Sequence, residues 1–316
     1  MIPDTTMPSW ARFLIYGRND CPTDILVNQM PIKLAVPNKG RLNERSLEML
    51  KRAGLEIENG GDRLLFASVK NGNFSVLFLR AQDIVRFVQT GAVDAGITGW
   101  DLVLENGNEV ELVREMGFGK CRLSVAVPES SGIKTIDDIP NGSRVATSFP
   151  NMTKQFFEKM QKKVEIAVIS GAAEVMPRMG VADFITDLVS SGSTLKSNNL
   201  REIAVISDSQ AVLIASKNLD SEKMRELEEL ANALESVEIA EHKKYLMADV
   251  PVAVLDEVRS FLPGIDGPTV MNIAGRDDVV AIHVVIDKSQ IYNTVNKLKK
   301  LGASGILIVP IDRMVP

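Results

Sequence analysis

From residue 32 onward, apolar residues fall into short runs separated by glycine, asparagine and charged turns. The run Ile32-Lys33-Leu34-Ala35-Val36-Pro37 predicts a short buried strand. Asn38-Lys39-Gly40-Arg41-Leu42 follows as a turn, and Asn43 stands where a cap is expected for a helix over 44–53. Leu47, Leu50 and Leu55 give that helix an apolar side, and Gly54 ends it. Further strands are predicted at 74–79, 92–97, 123–127, 144–147, 164–169, 182–185 and 211–215, with helices at 83–90 and 221–235. Strands alternating with helices predict a parallel sheet covered on both faces. The pattern is crossed twice, which predicts two lobes with a cleft between them. Residues 32–122 with 217–242 form the first lobe and 123–216 the second. The Glu/Lys/Arg run of 221–235 reads as a solvated face.

After residue 242 the rhythm changes. A strand at 245–249, a helix at 252–261 broken by Pro263-Gly264, and strands at 269–273 and 279–286 around Gly275 and Asp277 follow one another. An amphipathic helix over 289–301, with Ile291, Val295 and Leu298 on one side, leads through Gly302 to a strand at 305–310. The order βαββαβ describes a ferredoxin-like module over 243–316. Residues 1–31 show scattered prolines and no period, and are expected to be a weakly ordered extension. They lack the basic start and apolar core of a signal peptide. Met30, just before the first patterned strand, is a candidate start.

The candidate chemistry gathers in turns that follow strands. An apolar run, 181–185, leads into Thr186-Asp187-Leu188-Val189-Ser190-Ser191-Gly192-Ser193-Thr194-Leu195. Backbone N–H groups of such a turn, a helix start after it and four hydroxyls form an anion site. Gly192 lets the backbone come close to a ligand. Asp187 would repel a phosphate but suits a sugar diol, whose hydroxyls donate to a carboxylate. Phosphate beside diol describes a ribose 5-phosphate. A Ser/Gly turn that caps a helix and binds nothing has the same appearance. Lys39 and Arg41 flank a glycine after the first strand, where ligands bind in an open α/β sheet. Cations are disfavoured at the positive end of a helix, so their placement there points to a bound anion. Asp101 falls in the first turn of a helix after Thr98-Gly99, and Lys120 and Arg122 stand at the entrance of a strand.

Composition narrows the classes. The 316 residues are 45% hydrophobic and 24% charged, ordinary for a globular protein of two or three domains. No apolar run is long enough to span a membrane as a helix. The net charge of -5 argues against a general nucleic-acid binder, so positive charge for phosphate ligands must be local. Two cysteines and two histidines supply no disulfide framework, metal cluster or His-based triad, and a reduced cytoplasmic setting fits. A non-catalytic periplasmic-type binding protein would share the two lobes, but the phosphate loop and terminal module argue against it. A transcriptional effector domain would need a helix-turn-helix, which 1–31 do not supply.

Five segments, in order, resemble the long form of ATP phosphoribosyltransferase, the first enzyme of histidine biosynthesis. They are Ala35-Val36-Pro37-Asn38-Lys39-Gly40-Arg41-Leu42, Gly96-Ile97-Thr98-Gly99-Trp100-Asp101, Gly117-Phe118-Gly119-Lys120-Cys121-Arg122-Leu123, the loop from Asp187 to Leu195, and Gly302-Ala303-Ser304-Gly305-Ile306-Leu307. The likeness runs over 32–316. It implies a bilobal core like the type II periplasmic-binding fold plus a C-terminal ferredoxin-like (ACT-like) regulatory domain. The implied reaction joins N1 of the ATP adenine to C1 of phosphoribosyl pyrophosphate (PRPP), releases pyrophosphate and requires Mg²⁺, for which no protein ligand is implied. Ser190, Ser191, Gly192, Ser193 and Thr194 would hold the PRPP 5-phosphate. Asp187 would bind the ribose hydroxyls, and Glu174 would point into the cleft. Lys39, Gly40, Arg41, Arg80, Asp101, Lys120 and Arg122 would face the nucleotide or pyrophosphate, with Asp187, Lys39 and Arg41 as the catalytic set. The resemblance also implies that Asp249, Ile265, Thr269, Val285 and Gly305 line a site for inhibitory histidine, with plain core as the competing role for Ile265 and Val285. A dimer–hexamer equilibrium and no separate regulatory subunit are implied as well.

Overall fold

The computed structural model describes residues 30–58, 65–262 and 267–315. Most of the extension expected at 1–31, the Pro263-Gly264 break and Ile265 lie outside the described residues. The first sheet collects β1 (Ile32–Pro37), β2 (Phe66–Ser68), β3 (Phe74–Leu79), β4 (Ala95–Gly99) and β5 (Glu111–Glu115), with α1 (Gly40–Arg52), α2 (Ala81–Gln89) and α3 (Trp100–Glu105) between them. The second collects β6 (Cys121–Pro128), β7 (Ser143–Thr147), β8 (Val164–Val168), β9 (Phe184–Val189) and β10 (Leu200–Ser209), with α4 (Pro150–Lys159) and α5 (Ser193–Ser197). The chain then returns through β11 (Ala211–Ala215) and α6 (Ser221–Glu241). Strand order is β2-β3-β1-β4-β11-β5 in the first sheet and β10-β6-β9-β7-β8 in the second.

Neither sheet is the all-parallel one expected. β1 runs parallel to β3 and β4, but β11 is antiparallel to β4 and β5. In the second sheet β7 is parallel to β8 and β9, while β6 is antiparallel to β9 and β10. β6 and β11 follow the two crossings between lobes, and a strand entering from the opposite lobe arrives reversed; β2 is antiparallel to β3 within the first lobe. β2, β5 and β10 were not expected. Each carries too few buried residues to show a run: β10 alternates irregularly across two register shifts. β11, placed by sequence inside the 123–216 lobe, is instead an inner strand of the first sheet, paired between β4 and β5 with all five residues buried.

Burial explains the rest of the first lobe. Leu34 and Val36 pack with Met49 and Leu50 of α1 and with Leu227, Leu230, Leu234 and Val237 of α6. Ala35 faces the other way, towards Ile84, Val85 and Val88 of α2 and Val103 of α3. The 3–4 spacing of the α6 leucines gives this charged helix a buried stripe and carries it six residues past its expected end, to Glu241. α1 starts at Gly40, not 44. Lys39 takes the cap position, and Asn43 donates its side-chain amide to the Pro37 carbonyl.

The terminal module contains β12 (Lys243–Pro251), α7 (Leu255–Phe261), β13 (Thr269–Ile273), β14 (Arg276–Asp287), α8 (Ile291–Lys300) and β15 (Ser304–Pro310). Its sheet order, β13-β14-β12-β15, is antiparallel throughout and matches the ferredoxin-like expectation. Leu246, Ala248 and Val250 of β12 and Ile282 and Val284 of β14 pack under α7 and α8, leaving the other sheet face open. The module is tied to α1 and α6 by side chains. Glu241 receives both Arg45 and Arg52, Arg52 reaches the Asp312 carbonyl at 3.2 Å, and Arg313 donates to Ser236 Oγ and the Ala53 carbonyl, each at 3.0 Å. Among the described residues no helix is long and apolar enough to cross a membrane.

Candidate active site

The C-terminal ends of three parallel strands meet on one edge of the first lobe. β1 ends at Pro37 and opens into exposed Lys39, Gly40 and Arg41; β3 ends at Leu79, next to exposed Arg80; β4 ends at Gly99, two residues before Asp101. Asn38 N donates to the Leu79 carbonyl at 2.7 Å, which holds the Lys39 turn beside Arg80. Three exposed cations at strand ends, with no carboxylate recorded as an ion-pair partner for any of them among the described residues, make this edge suited to an anion.

Asp101 is placed differently from the other cleft residues. It is only 5% exposed, its N–H donates to Ser209 Oγ at 2.9 Å, and the Ser209 hydroxyl donates back to its carboxylate. Burial pushes the Asp101 carboxyl up, against the opposing pull of Ser209 and of its own N–H. Burial and the Asp101 charge also push up the thiol of half-buried Cys121. Asp101, Cys121 and Ser209 thus meet where both connecting segments cross between lobes, and Cys121 and Ser209 are strand partners there. Lys120 is exposed just before this crossing.

In the second lobe the loop follows β9 as expected, but β9 continues to Val189, so Asp187 lies on the strand itself. Ser190, Ser191, Ser193 and Thr194 are exposed. Gly192 has φ +77°, a left-handed conformation that glycine adopts without a Cβ clash, and it turns the chain into α5. Ser191 Oγ and Ser193 Oγ lie 3.0 Å apart, so two hydroxyls already converge. Asp187 is half-buried and accepts from the Leu188 N–H at 2.8 Å. Burial, and then the nearby negative charge of Glu174, pushes the Asp187 carboxyl up. The structure therefore sets Glu174 within electrostatic reach of Asp187, which stands near the end of β9 just before the hydroxyl loop.

Arg122 belongs to this lobe and is not a free cation. Its Nε and Nη2 each reach the Glu202 carboxylate at 2.6 Å, and its Nη1 donates to the Ser190 carbonyl at 3.3 Å. Ser124 Oγ also donates to Glu202 at 2.9 Å. Glu202 and Ser209 were missed by sequence, because β10 gave no recognisable run.

In the terminal module, register puts Asp249, Thr269 and Val285 on the open sheet face: Asp249 pairs with Ala281, Thr269 with His283 and Val285 with Tyr245. Val285 is half-buried, so it is not plain core. Gly305 has φ +58°, and a Cβ there would lie 2.9 Å from Asp249 Oδ2, so its small size admits the Asp249 carboxylate.

The fold and site define a bilobal α/β core of the type II periplasmic-binding kind with a ferredoxin-like module at its end. The profile of ATP phosphoribosyltransferase matches residues 80–236, and that of the HisG C-terminal domain matches 240–313. A curated ATP phosphoribosyltransferase of Gemmatimonas aurantiaca is 46% identical over 292 residues, covering 90% of this chain and all of its own. That of Methanocaldococcus jannaschii is 46% identical over 288 residues with the same coverage. Among solved structures, the ATP phosphoribosyl transferase (HisG:HisZ) complex of Thermotoga maritima superposes with a TM-score of 0.58 at 27% identity, covering 65% of this chain and 96% of that one. The chain belongs to the ATP phosphoribosyltransferase family, enzymes of the pentosyltransferase class that act in histidine biosynthesis.

Proposed function

We propose that the cleft joins the adenine N1 of ATP to C1 of PRPP and releases pyrophosphate, with PRPP seated on the second lobe and ATP on the first. The observation that supports the reading is half-buried Asp187 near the end of β9, followed directly by the exposed hydroxyl loop 190–194. Ser190, Ser191, Gly192, Ser193 and Thr194 take the 5-phosphate through hydroxyls and backbone N–H groups, and Asp187 accepts from the ribose hydroxyls. Lys39, Gly40, Arg41 and Arg80, with Lys120, face the ATP phosphates and the departing pyrophosphate.

Adenine N1 is already a nucleophile, so its lone pair makes the new bond to C1 without prior loss of a proton. The C1–O bond breaks and its electron pair leaves with pyrophosphate. Positive charge gathers on the ribose ring as that bond lengthens, and Asp187, close to the diol, is placed to offset it. Lys39 and Arg41 stabilise the charge growing on the leaving group, and holding two substrates in one cleft supplies the orientation.

Mg²⁺ is part of this reading. No cluster of three or more His, Cys, Asp or Glu side chains arranged for a metal occurs among the described residues, but Asp187 and Glu174, near enough for the charge of one to be felt by the other, offer hard carboxylate oxygens. That donor set fits an ion that arrives on substrate phosphates and takes one or two protein carboxylates. Bound there, Mg²⁺ would offset phosphate charge.

The open face bearing Asp249, Thr269, Val285 and Gly305 takes free histidine as feedback inhibitor, with Asp249 pairing its ammonium group. The dimer–hexamer equilibrium belongs to the same reading, with histidine favouring the hexamer. The similar Thermotoga maritima structure is a complex with HisZ. The fused terminal module here leads us to propose that no separate regulatory subunit is needed. Pyrophosphate release with Mg²⁺ tests the reaction: it should require both ATP and PRPP and fall on adding histidine. Release from PRPP alone, at the same rate, would refute the transfer.

A further inference from the structure

α3 is six residues long, yet it is fastened to the other lobe at both ends. At its start, Asp101 exchanges hydrogen bonds with Ser209 at the end of β10, and Trp100 N donates to the Gln210 carbonyl at 2.9 Å. At its end, the Glu105 carboxylate accepts from the backbone N–H of Asn151 at 2.8 Å and of Met152 at 3.0 Å, while Asn151 Nδ2 donates to the Glu105 carbonyl at 3.0 Å. Asn151 and Met152 form the first turn of α4, so a carboxylate of the first lobe caps a helix of the second. Leu102 and Leu104 of α3 meet Leu123, Phe149 and Met152 alongside this cap, which keeps it partly dry.

The capped turn leads to the substrate loop. Thr153, next after Met152, is fully buried, and its Oγ1 lies 2.6 Å from Thr186 Oγ1. Thr153 Oγ1 also lies 3.4 Å from Thr147 Oγ1, which itself accepts from Phe149 N at 2.9 Å. Thr186 is the neighbour of Asp187 on β9. A continuous line of packed polar groups therefore runs from Glu105 through the first turn of α4 and Thr153 to Thr186 and Asp187.

We propose that Glu105 is a positioning residue for the transfer. By capping α4 from the opposite lobe, it sets the angle between the lobes and holds the Asp187 strand in register with the Lys39–Arg41 edge. It touches neither substrate. A group that aligns two bound reactants acts on the bond-forming step more than on either binding step, since small misplacements of reacting atoms lower the rate steeply. This inference rests on the reading that PRPP and ATP occupy opposite lobes.

The test compares wild type, Glu105→Ala and Glu105→Gln as full-length chains. Steady-state kinetics, separate equilibrium titrations with ATP and with PRPP, and amide hydrogen exchange are measured on each. Glu105→Ala should lose about tenfold in kcat, the order expected for a modest misalignment. Its dissociation constants for each substrate alone should stay within about twofold of wild type, and exchange should quicken at Asn151 and Met152. Glu105→Gln keeps one carbonyl acceptor and should recover part of the rate, and it stands in if the alanine variant does not fold. An unchanged kcat with quickened exchange at the two amides would overturn the proposal, as would a fall in both affinities matching the fall in kcat. If wild type binds neither ATP nor PRPP, the two-substrate reading fails instead, and that outcome is distinct from any behaviour of Glu105.

Discussion

Arg122 holds Glu202 through two parallel hydrogen bonds of 2.6 Å, and the same guanidinium donates to the Ser190 carbonyl at 3.3 Å. A two-bond arginine–carboxylate pair fixes orientation as well as charge. Here it anchors the first residue of the hydroxyl loop to the pair β6–β10. Arg122 therefore differs from Lys39, Arg41 and Arg80, which face solvent, and any effect on substrate is expected to run through the loop. Arg122→Ala should raise KM for PRPP by roughly 10-fold while KM for ATP changes less than about twofold, since losing a charged hydrogen bond costs about 1.5–3 kcal/mol. Equal rises for both substrates would return Arg122 to a direct role at the pyrophosphate.

Asp187 is held in a costly place. Burial and the Glu174 charge raise its carboxyl above the ordinary aspartate value. An acid whose folded value is raised favours folding while protonated, and that contribution is lost as pH rises through the folded value. Asp187→Asn should therefore melt higher than wild type at neutral pH without substrates. The gap should close as pH falls to the ordinary aspartate range. The same variant should lose about 100-fold in PRPP use, the scale of removing one well-placed group. Thermal melts across pH, run beside the kinetics, check both halves; a lower melting point at neutral pH would contradict the burial argument.

Lys39 and Arg41 sit exposed at the start of α1, where the helix dipole disfavours them unless an anion is bound. Lys39→Ala and Arg41→Ala should each lower kcat/KM by about 10- to 100-fold. They should leave the melting point of the substrate-free protein unchanged or slightly raised. A clear drop in melting point would show that these side chains serve the fold.

Glu241 is the shared partner of Arg45 and Arg52 where α6 hands the chain to the terminal module. Glu241→Ala removes the carboxylate partner of part-buried Arg52 and leaves Arg45 only its pair with Glu48, and should cost about 1–3 kcal/mol of stability. It should also weaken inhibition by histidine more than it changes the uninhibited rate, because the node joins the module to α1, which begins at the Lys39–Arg41 edge. Inhibition curves on the two proteins decide this; identical curves would remove Glu241 from the coupling route.

What the chain disclosed in advance followed from dense apolar runs. β1, β3, β11 and β13 were readable to the residue, because each is a compact run bounded by turn residues. β10 was not, since its bulged pairing with β6 breaks the alternation a half-buried strand should show. The membership of β11 in the first sheet was hidden for another reason: apolarity reports burial, not which sheet does the burying. At the site, the hydroxyl loop was legible because Ser, Gly and Thr cluster locally after a strand. The pairs Arg122–Glu202 and Asp101–Ser209 were not, since their members are 80 and 108 residues apart and meet only through strand pairing.

The central claim, that the Asp187 loop reads a ribose 5-phosphate while the opposite lobe holds ATP, is tested most directly by calorimetric titration of wild type and Asp187→Ala with each ligand separately. Ribose 5-phosphate carries the phosphate and diol but no pyrophosphate. The account predicts that its affinity falls by about 100-fold in the variant, while the affinity for ATP stays within about twofold. Unchanged ribose 5-phosphate binding, or an equal loss of both ligands, would contradict it.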